Sequence, residues 1–188
     1  PTSQAANNMP ATRSFSLNDR VCRVVLALLL VCAPALGIDA ARAPAPASLP
    51  TPIESAKYNR ISRSAEMHDY LLSLAAIVAQ TRIEVLGQSV QGRPLEAIVM
   101  RATDQPRTGR RLVVMIVGSL HGAAEPAGGE ALLQLARSLT QGDLAPLRAA
   151  LDFVLIPNAN PDGRDLRRRS NANRVNLNTD FVALTQPE

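Results

Sequence analysis

Two side chains in this sequence have the type and spacing to hold a metal ion together. His121 and Glu125 lie four positions apart in Val113–Glu130, VVMIVGSLHGAAEPAGGE. A neutral imidazole and a carboxylate are both good ligands for zinc. The same spacing also suits a loop histidine beside a carboxylate that the positive end of a helix favours, and the pair alone leaves both readings open. The flanking residues say where the pair sits. Val113–Val117 is a short β-branched apolar run, which predicts a strand covered on both faces. Gly118 and Gly122 allow a sharp turn at its end. Pro126 suits the first turn of a helix, where its missing N–H costs nothing. Leu132, Leu135, Ala136 and Leu139 then recur at helical spacing on one face. His121 and Glu125 are therefore expected in the loop and helix start at the C-terminal end of a strand, where open α/β sheets place their ligands.

The chain of 188 residues is long enough for about one domain with a real core. A hydrophobic share of 46% against 19% charged residues is a globular balance. The formal charge is +4, yet Lys57 is the only lysine, so 19 of the 20 basic residues are arginines. With aromatics at 3% and no basic patch interleaved with them, nucleic-acid binding is not expected.

Residues 1–8 read as an unexplained leader before Met9. Residues 9–37 read as a signal peptide: Arg13, Arg20 and Arg23 form a basic segment, Val24–Ala33 an apolar run too short for a comfortable transmembrane helix, and Ala35-Leu36-Gly37 a cleavage site. Export to the periplasm or the extracellular space is expected, with no stable membrane insertion once the segment is removed. Cys22 and Cys32 both fall inside it, so the mature chain would have no disulfide to draw on. Residues 38–55 are rich in Ala and Pro and predict an extended linker.

The folded part is expected over residues 56–188. Ser64 reads as the N-cap of a helix over 65–80, with Met67, Leu71, Leu74, Ala75 and Val78 on one face. His68, on the same helix, is expected as a solvated surface residue rather than a ligand. Arg82–Leu86 and Leu95–Arg101 read as strands joined by a turn-rich hairpin. Leu151–Pro157 reads as another buried strand, ending in the turn cluster Asn158-Ala159-Asn160-Pro161-Asp162-Gly163.

Four motifs now stand in order. They are Gly87-x-Ser89-x-x-Gly92-Arg93-Pro94-Leu95, then His121-Gly122 with Glu125–Gly128. After these come Pro157 with Asn160–Gly163, and the asparagine-rich run from Arg169 to Asn178 followed by Asp180-Phe181. Together, from Tyr58 to Glu188, they resemble the zinc metallocarboxypeptidases of the carboxypeptidase A type. The resemblance implies an α/β fold: a mixed, mostly parallel sheet with helices on both faces, here incomplete. It implies that His121 and Glu125 are the first two zinc ligands, that Arg169 polarises the scissile carbonyl and stabilises its oxyanion, and that Asn178 holds the terminal carboxylate of a peptide substrate. The cofactor implied is Zn2+. The arginines around Arg169 (Arg164, Arg167, Arg168 and Arg174) are expected to be solvated or to pair with Asp162 and Asp165.

Three departures shape what is expected of this chain. Its ligands are spaced His-x-x-x-Glu where the family has His-x-x-Glu. Thr179 follows Asn178 where the family has an arginine that clamps the free carboxylate, and threonine makes no bidentate clamp. The family's third ligand, a histidine, and its general-base glutamate come later than Glu188, so the chain is expected to carry only the N-terminal part of the catalytic domain. The reading is an exported zinc peptidase. A deacylase of N-acyl amino acids on the same scaffold, an endopeptidase- or amidase-like variant, and an inactive truncated product remain open beside it.

Overall fold

Hydrogen bonding orders the four strands of the sheet β1-β2-β4-β3. They are β1 (Thr81–Gln88), β2 (Pro94–Met100), β3 (Leu112–Val117) and β4 (Leu151–Ile156). This is a computed structural model, which describes residues 49–104 and 111–188. The expected leader, the signal segment and most of the linker lie outside the described residues, as does most of the polar loop before β3.

The hairpin between β1 and β2 makes that pair antiparallel, and β2 also runs antiparallel to β4. Only β3 and β4 are parallel. The sheet is mixed, as expected. Parallel pairing does not predominate among these four strands, because a connection as short as residues 89–93 can only reverse the chain.

Both long helices pack on one face of the sheet rather than on both. They are α2 (Ser64–Ile77) and α3 (Ala127–Gln141), preceded by the short α1 (Pro52–Ser55). Met67, Tyr70, Leu71 and Leu74 of α2 meet Leu132, Leu133, Ala136 and Leu139 of α3 over Ile98, Met100, Phe153 and Leu155 of the sheet. These strand residues alternate with Ala97, Val99 and Ile156, which form a smaller cluster on the opposite face. The expectation that β3 is covered on both faces does not hold. Val114 and Ile116 pack on the main core, whereas Leu112, Val113, Met115 and Val117 are exposed. β3 is an edge strand whose outward side chains have no covering layer among the described residues.

Two helix starts differ from the sequence reading. Arg63, not Ser64, occupies the N-cap of α2. Ser64 has moved into the first turn, where its backbone N–H and hydroxyl both donate to Asp165 at 3.0 Å. Order also begins earlier than expected. Thr51 is buried and forms a reciprocal capping box with Glu54 at the start of α1. Glu54 is held below the ordinary carboxylate range by the Arg137 guanidinium that pairs with it from α3. No described helix is long and apolar enough to cross a membrane.

The loops at the C-terminal ends of β3 and β4 are joined by a buried ion pair. Arg164 lies in the short α4 (Pro161–Asp165), and its side chain is completely shielded from solvent. It donates to Ser62 O at 2.8 Å and to Glu130 of α3 at 2.9 Å. Its other terminal nitrogen donates to Ser119 Oγ at 2.7 Å. The second carboxylate oxygen of Glu130 accepts the Ser62 hydroxyl at 2.7 Å. Arg164 was expected in a solvated loop; burial with acceptors at both terminal nitrogens of its guanidinium is the finding. Gly129 makes room for it, since a side chain there would run into Ser119, Pro157 O and the guanidinium itself. Removing one partner of such a pair strands the other charge in a dry site. Arg164→Ala should therefore cost about 3–5 kcal/mol of stability, read from the urea midpoint. A loss below about 1 kcal/mol, the worth of a surface pair, would show that the ion pair does not hold the loops.

Candidate functional site

β3 and β4 are parallel, so the loops that follow them leave the sheet at the same end. Their junction is bonded directly, with Gly118 N–H donating to Ile156 O at 2.8 Å and Ala159 N–H to Gly118 O at 3.0 Å. The β3 loop carries His121 and Glu125. The β4 loop runs through α4 to Arg169.

The β3 loop is tightly wound. Ser119 and Gly122 both take positive φ, 55° and 52°. At Gly122 the requirement for glycine is absolute: a Cβ would lie 2.5 Å from Gly163 C and 2.6 Å from Arg168 O. Ala123 N–H donates to Arg168 O at 3.2 Å, across to the second loop. Glu125 was expected at the helix start. It lies just before it, because Pro126 is the N-cap and α3 begins at Ala127.

This winding brings three predicted site residues together. His121 Nδ1 and Glu125 Oε2 are 2.6 Å apart. Arg169 donates to the other oxygen of Glu125, and its second nitrogen lies 3.0 Å from His121 Nε2. A guanidinium has no acceptor, so Nε2 accepts from Arg169 and Nδ1 carries the ring proton that Glu125 receives. His121 is 12% exposed, Glu125 59% and Arg169 48%, an imidazole set into the surface with a carboxylate and a guanidinium at its rim. The His121 hydrogen bond, and after it that of Arg169, hold the Glu125 carboxyl below its usual range.

Asn178 stands apart from the trio. It lies in the 3-10 turn Leu177–Thr179, is exposed, and has its backbone N–H on Asn176 Oδ1 at 3.2 Å. Among the described residues no hydrogen bond ties its side chain to His121, Glu125 or Arg169. Thr179 cannot take over, because its hydroxyl donates to Asn176 O at 2.8 Å. His68, expected to be solvated, is half-exposed and has a partner: Nδ1 lies 2.8 Å from Glu96 Oε1.

His121 and Glu125 offer a nitrogen and an oxygen of the kinds zinc takes, and their 2.6 Å contact sets them side by side. A catalytic zinc takes three protein ligands. Among the described residues no group of three or more His, Cys, Asp or Glu could hold a metal ion.

The residues that fix the site were not singled out from the sequence. Asn160, read as part of a turn cluster and of the third motif but given no role, is fully buried and is the N-cap of α4, accepting from Gly163 N–H at 2.8 Å. Asp162, also fully buried, takes the Ser89 hydroxyl at 2.8 Å, Gln91 N–H at 3.0 Å and the Arg93 guanidinium at 2.5 Å. It thus anchors the Gly87–Leu95 motif to the Asn160–Gly163 motif. An asparagine directly before a proline is a readable N-cap signal; the partners of Asp162, about seventy residues away in sequence, leave no local trace.

The model of the zinc carboxypeptidase family matches residues 67–187. Among curated relatives, carboxypeptidase E of Caenorhabditis elegans is 34% identical over 122 residues, covering 55% of this chain and 26% of its own. Carboxypeptidase SOL1 of Arabidopsis thaliana is 36% identical over 107 residues, covering 54% of this chain and 21% of its own. The fold is shared with a metallo-carboxypeptidase of Burkholderia cenocepacia (TM-score 0.53, 24% identity, 65% of this chain and 34% of that one). It is also shared with carboxypeptidase A of Helicoverpa armigera (TM-score 0.52, 24% identity, 61% and 29%).

These matches and the α/β architecture define the class: this is a metallocarboxypeptidase fold. The chain belongs to the zinc carboxypeptidase family. It spans 26% or less of the length of each curated relative compared.

The hydrogen bonds to Glu125 give a direct check. In metal-free protein its carboxyl should titrate below 4.5, the ordinary value, as followed by side-chain NMR. Replacing either His121 or Arg169 by alanine should move the midpoint upward, with His121→Ala moving it more. An unchanged midpoint in both variants would show that the trio is not assembled in solution.

Proposed function

We propose that this chain carries the metal-binding and oxyanion-stabilising half of an exported zinc peptidase site, hydrolysing peptide bonds. The single observation behind this reading is the convergence of His121, Glu125 and Arg169 at the mouth of two parallel strands. In the proposed site His121 and Glu125 are two ligands to zinc, and the third comes from outside the described residues. Bound zinc would supply a water acidified enough to attack a carbonyl at neutral pH.

The chain's own residues then have separable tasks. His121 would offer a ring nitrogen and Glu125 a carboxylate oxygen to the ion, in place of the hydrogen bond they make to each other. Arg169 keeps a guanidinium beside the ligands, where the oxyanion of the tetrahedral intermediate develops, and being always charged it needs no proton transfer to act. Asn178 meets the terminal carboxylate of the substrate. The hydroxyl of Thr179 is spent on Asn176 O, so this end of the site grips a free C-terminus less firmly than an arginine would. That observation favours a second reading, in which the enzyme cleaves internal peptide bonds or N-acyl amino acids. Export rests on the basic and apolar segments before Gly37.

The test is steady-state hydrolysis of blocked and unblocked peptides and of N-acyl amino acids by the full-length protein with zinc. Arg169→Ala should lower kcat by about 10²–10³-fold, as loss of an oxyanion donor does, with little change in KM. His121→Ala should abolish zinc retention. Zinc retained without His121, or an Arg169→Ala effect confined to KM, would contradict the assignment. Turnover of N-acyl amino acids but not of peptides would select the deacylase reading.

A further inference from the structure

We propose that Asn160 is a positioning residue, whose side-chain amide sets the distance between His121 and Arg169. The proposal rests on the peptidase reading for its consequence, and on hydrogen bonds alone for its geometry. The Asn160 side chain is fully buried, and its carboxamide uses every polar atom. Oδ1 accepts from Gly163 N–H at 2.8 Å and caps α4. Nδ2 has two hydrogens and makes two bonds, to Leu120 O and to Arg169 O, each at 3.2 Å.

Those two carbonyls are not arbitrary. Leu120 O belongs to the peptide group whose N–H is that of His121. Arg169 O belongs to the residue that donates to both His121 and Glu125. One planar amide, about two ångströms across its hydrogens as fixed bond geometry dictates, therefore spans the two loops beside their functional side chains. A backbone tie, Ala123 N–H to Arg168 O at 3.2 Å, lies on the far side of His121 and one residue before Arg169. His121 is thus held from both flanks, and the Asn160 tie reaches the backbone of Arg169 itself. The glycine at position 163 keeps the amide in place: a Cβ there would lie 2.6 Å from Asn160 Nδ2 and 2.7 Å from Ser170 O.

Asn160→Asp separates the two roles of this side chain. The carboxylate retains an oxygen to cap α4, so the helix start survives. It loses both donors and sets an oxygen against two carbonyls, so the clamp fails. Asp162→Asn is the control, since it weakens the anchor to the hairpin without touching either loop carbonyl.

Hydrogen exchange by mass spectrometry on the metal-free chain decides the geometry. Asn160→Asp should speed exchange in residues 119–125 and 167–171 together by about tenfold or more, local openings being independent of the global one, with β1 unchanged. Exchange that rises throughout the chain, or in neither loop, overturns the clamp.

Kinetics of the zinc-loaded protein decide the role. Asn160→Asp should lower kcat by about a hundredfold, the order expected when reacting groups are misplaced by an ångström, and KM by less than threefold in either direction. It should also weaken zinc binding by about tenfold, as loss of a ligand's supporting hydrogen bond does. A fall in kcat no larger than that of Asp162→Asn assigns Asn160 a merely structural part and overturns the positioning role. If the unaltered protein neither binds zinc nor hydrolyses any acyl substrate, the peptidase reading fails, and the exchange result still decides the clamp.

Discussion

A single buried guanidinium holds the working end of this structure together. Arg164 reaches from the loop after β4 to the segment before α2, to Glu130 inside α3 and to Ser119 in the His121 loop. The segment before α2, the loop after β4 and the stretch that runs from the His121 loop into α3 lie far apart in sequence. Apolar packing is non-directional; it brings α2 and α3 onto the sheet but does not say how the loops at its edge are to lie. A buried ion pair does, because each charge is stable only where its partner's hydrogen bonds are satisfied. Burial of this pair need not add net stability over an apolar replacement. What it adds is a definite arrangement of loops, and that arrangement is what a site made of His121, Glu125 and Arg169 requires.

The parts of the molecule that follow from local pattern were legible in the sequence. The apolar runs Val113–Val117 and Leu151–Ile156 lie in strands, and the helical face of Leu132, Ala136 and Leu139 is in the core. The proposed metal-ligand pair could be named because its residue types and glycine-lined loop are contiguous in the chain. Legibility ended where partners are distant. That the exposed face of β3 lacks a cover among these residues depends on what packs there, which β-branched composition does not report. That Arg164 is buried while Arg169 is exposed follows from Glu130, thirty-four residues away. Asn160 and Asp162 read as turn formers because in isolation that is their commonest use; their bonds to Leu120, Arg169 and Ser89 are tertiary.

The site is layered in consequence. Asp162 fastens the β1–β2 hairpin to α4 and Arg164 fastens α4 to the helices. Asn160 then fastens α4 to the two loops on which the chemistry depends. Each layer uses a fully buried polar group with its bonds directed outward, so the exposed trio at the rim inherits its geometry from rigid elements beneath it. The short turn around Asn178 and Thr179 lies outside this network, and Thr179 is one of the positions where the chain departs from the family's residue pattern.

The central claim is that zinc is held by His121 and Glu125 beside Arg169. Zinc K-edge X-ray absorption on the zinc-loaded protein tests it most directly, read together with His121→Ala and Glu125→Ala. The account predicts nitrogen and oxygen scatterers at about 2.0–2.2 Å, with the imidazole signal reduced in His121→Ala and the carboxylate oxygen lost in Glu125→Ala. A first shell of water alone, or one that neither substitution alters, would contradict it.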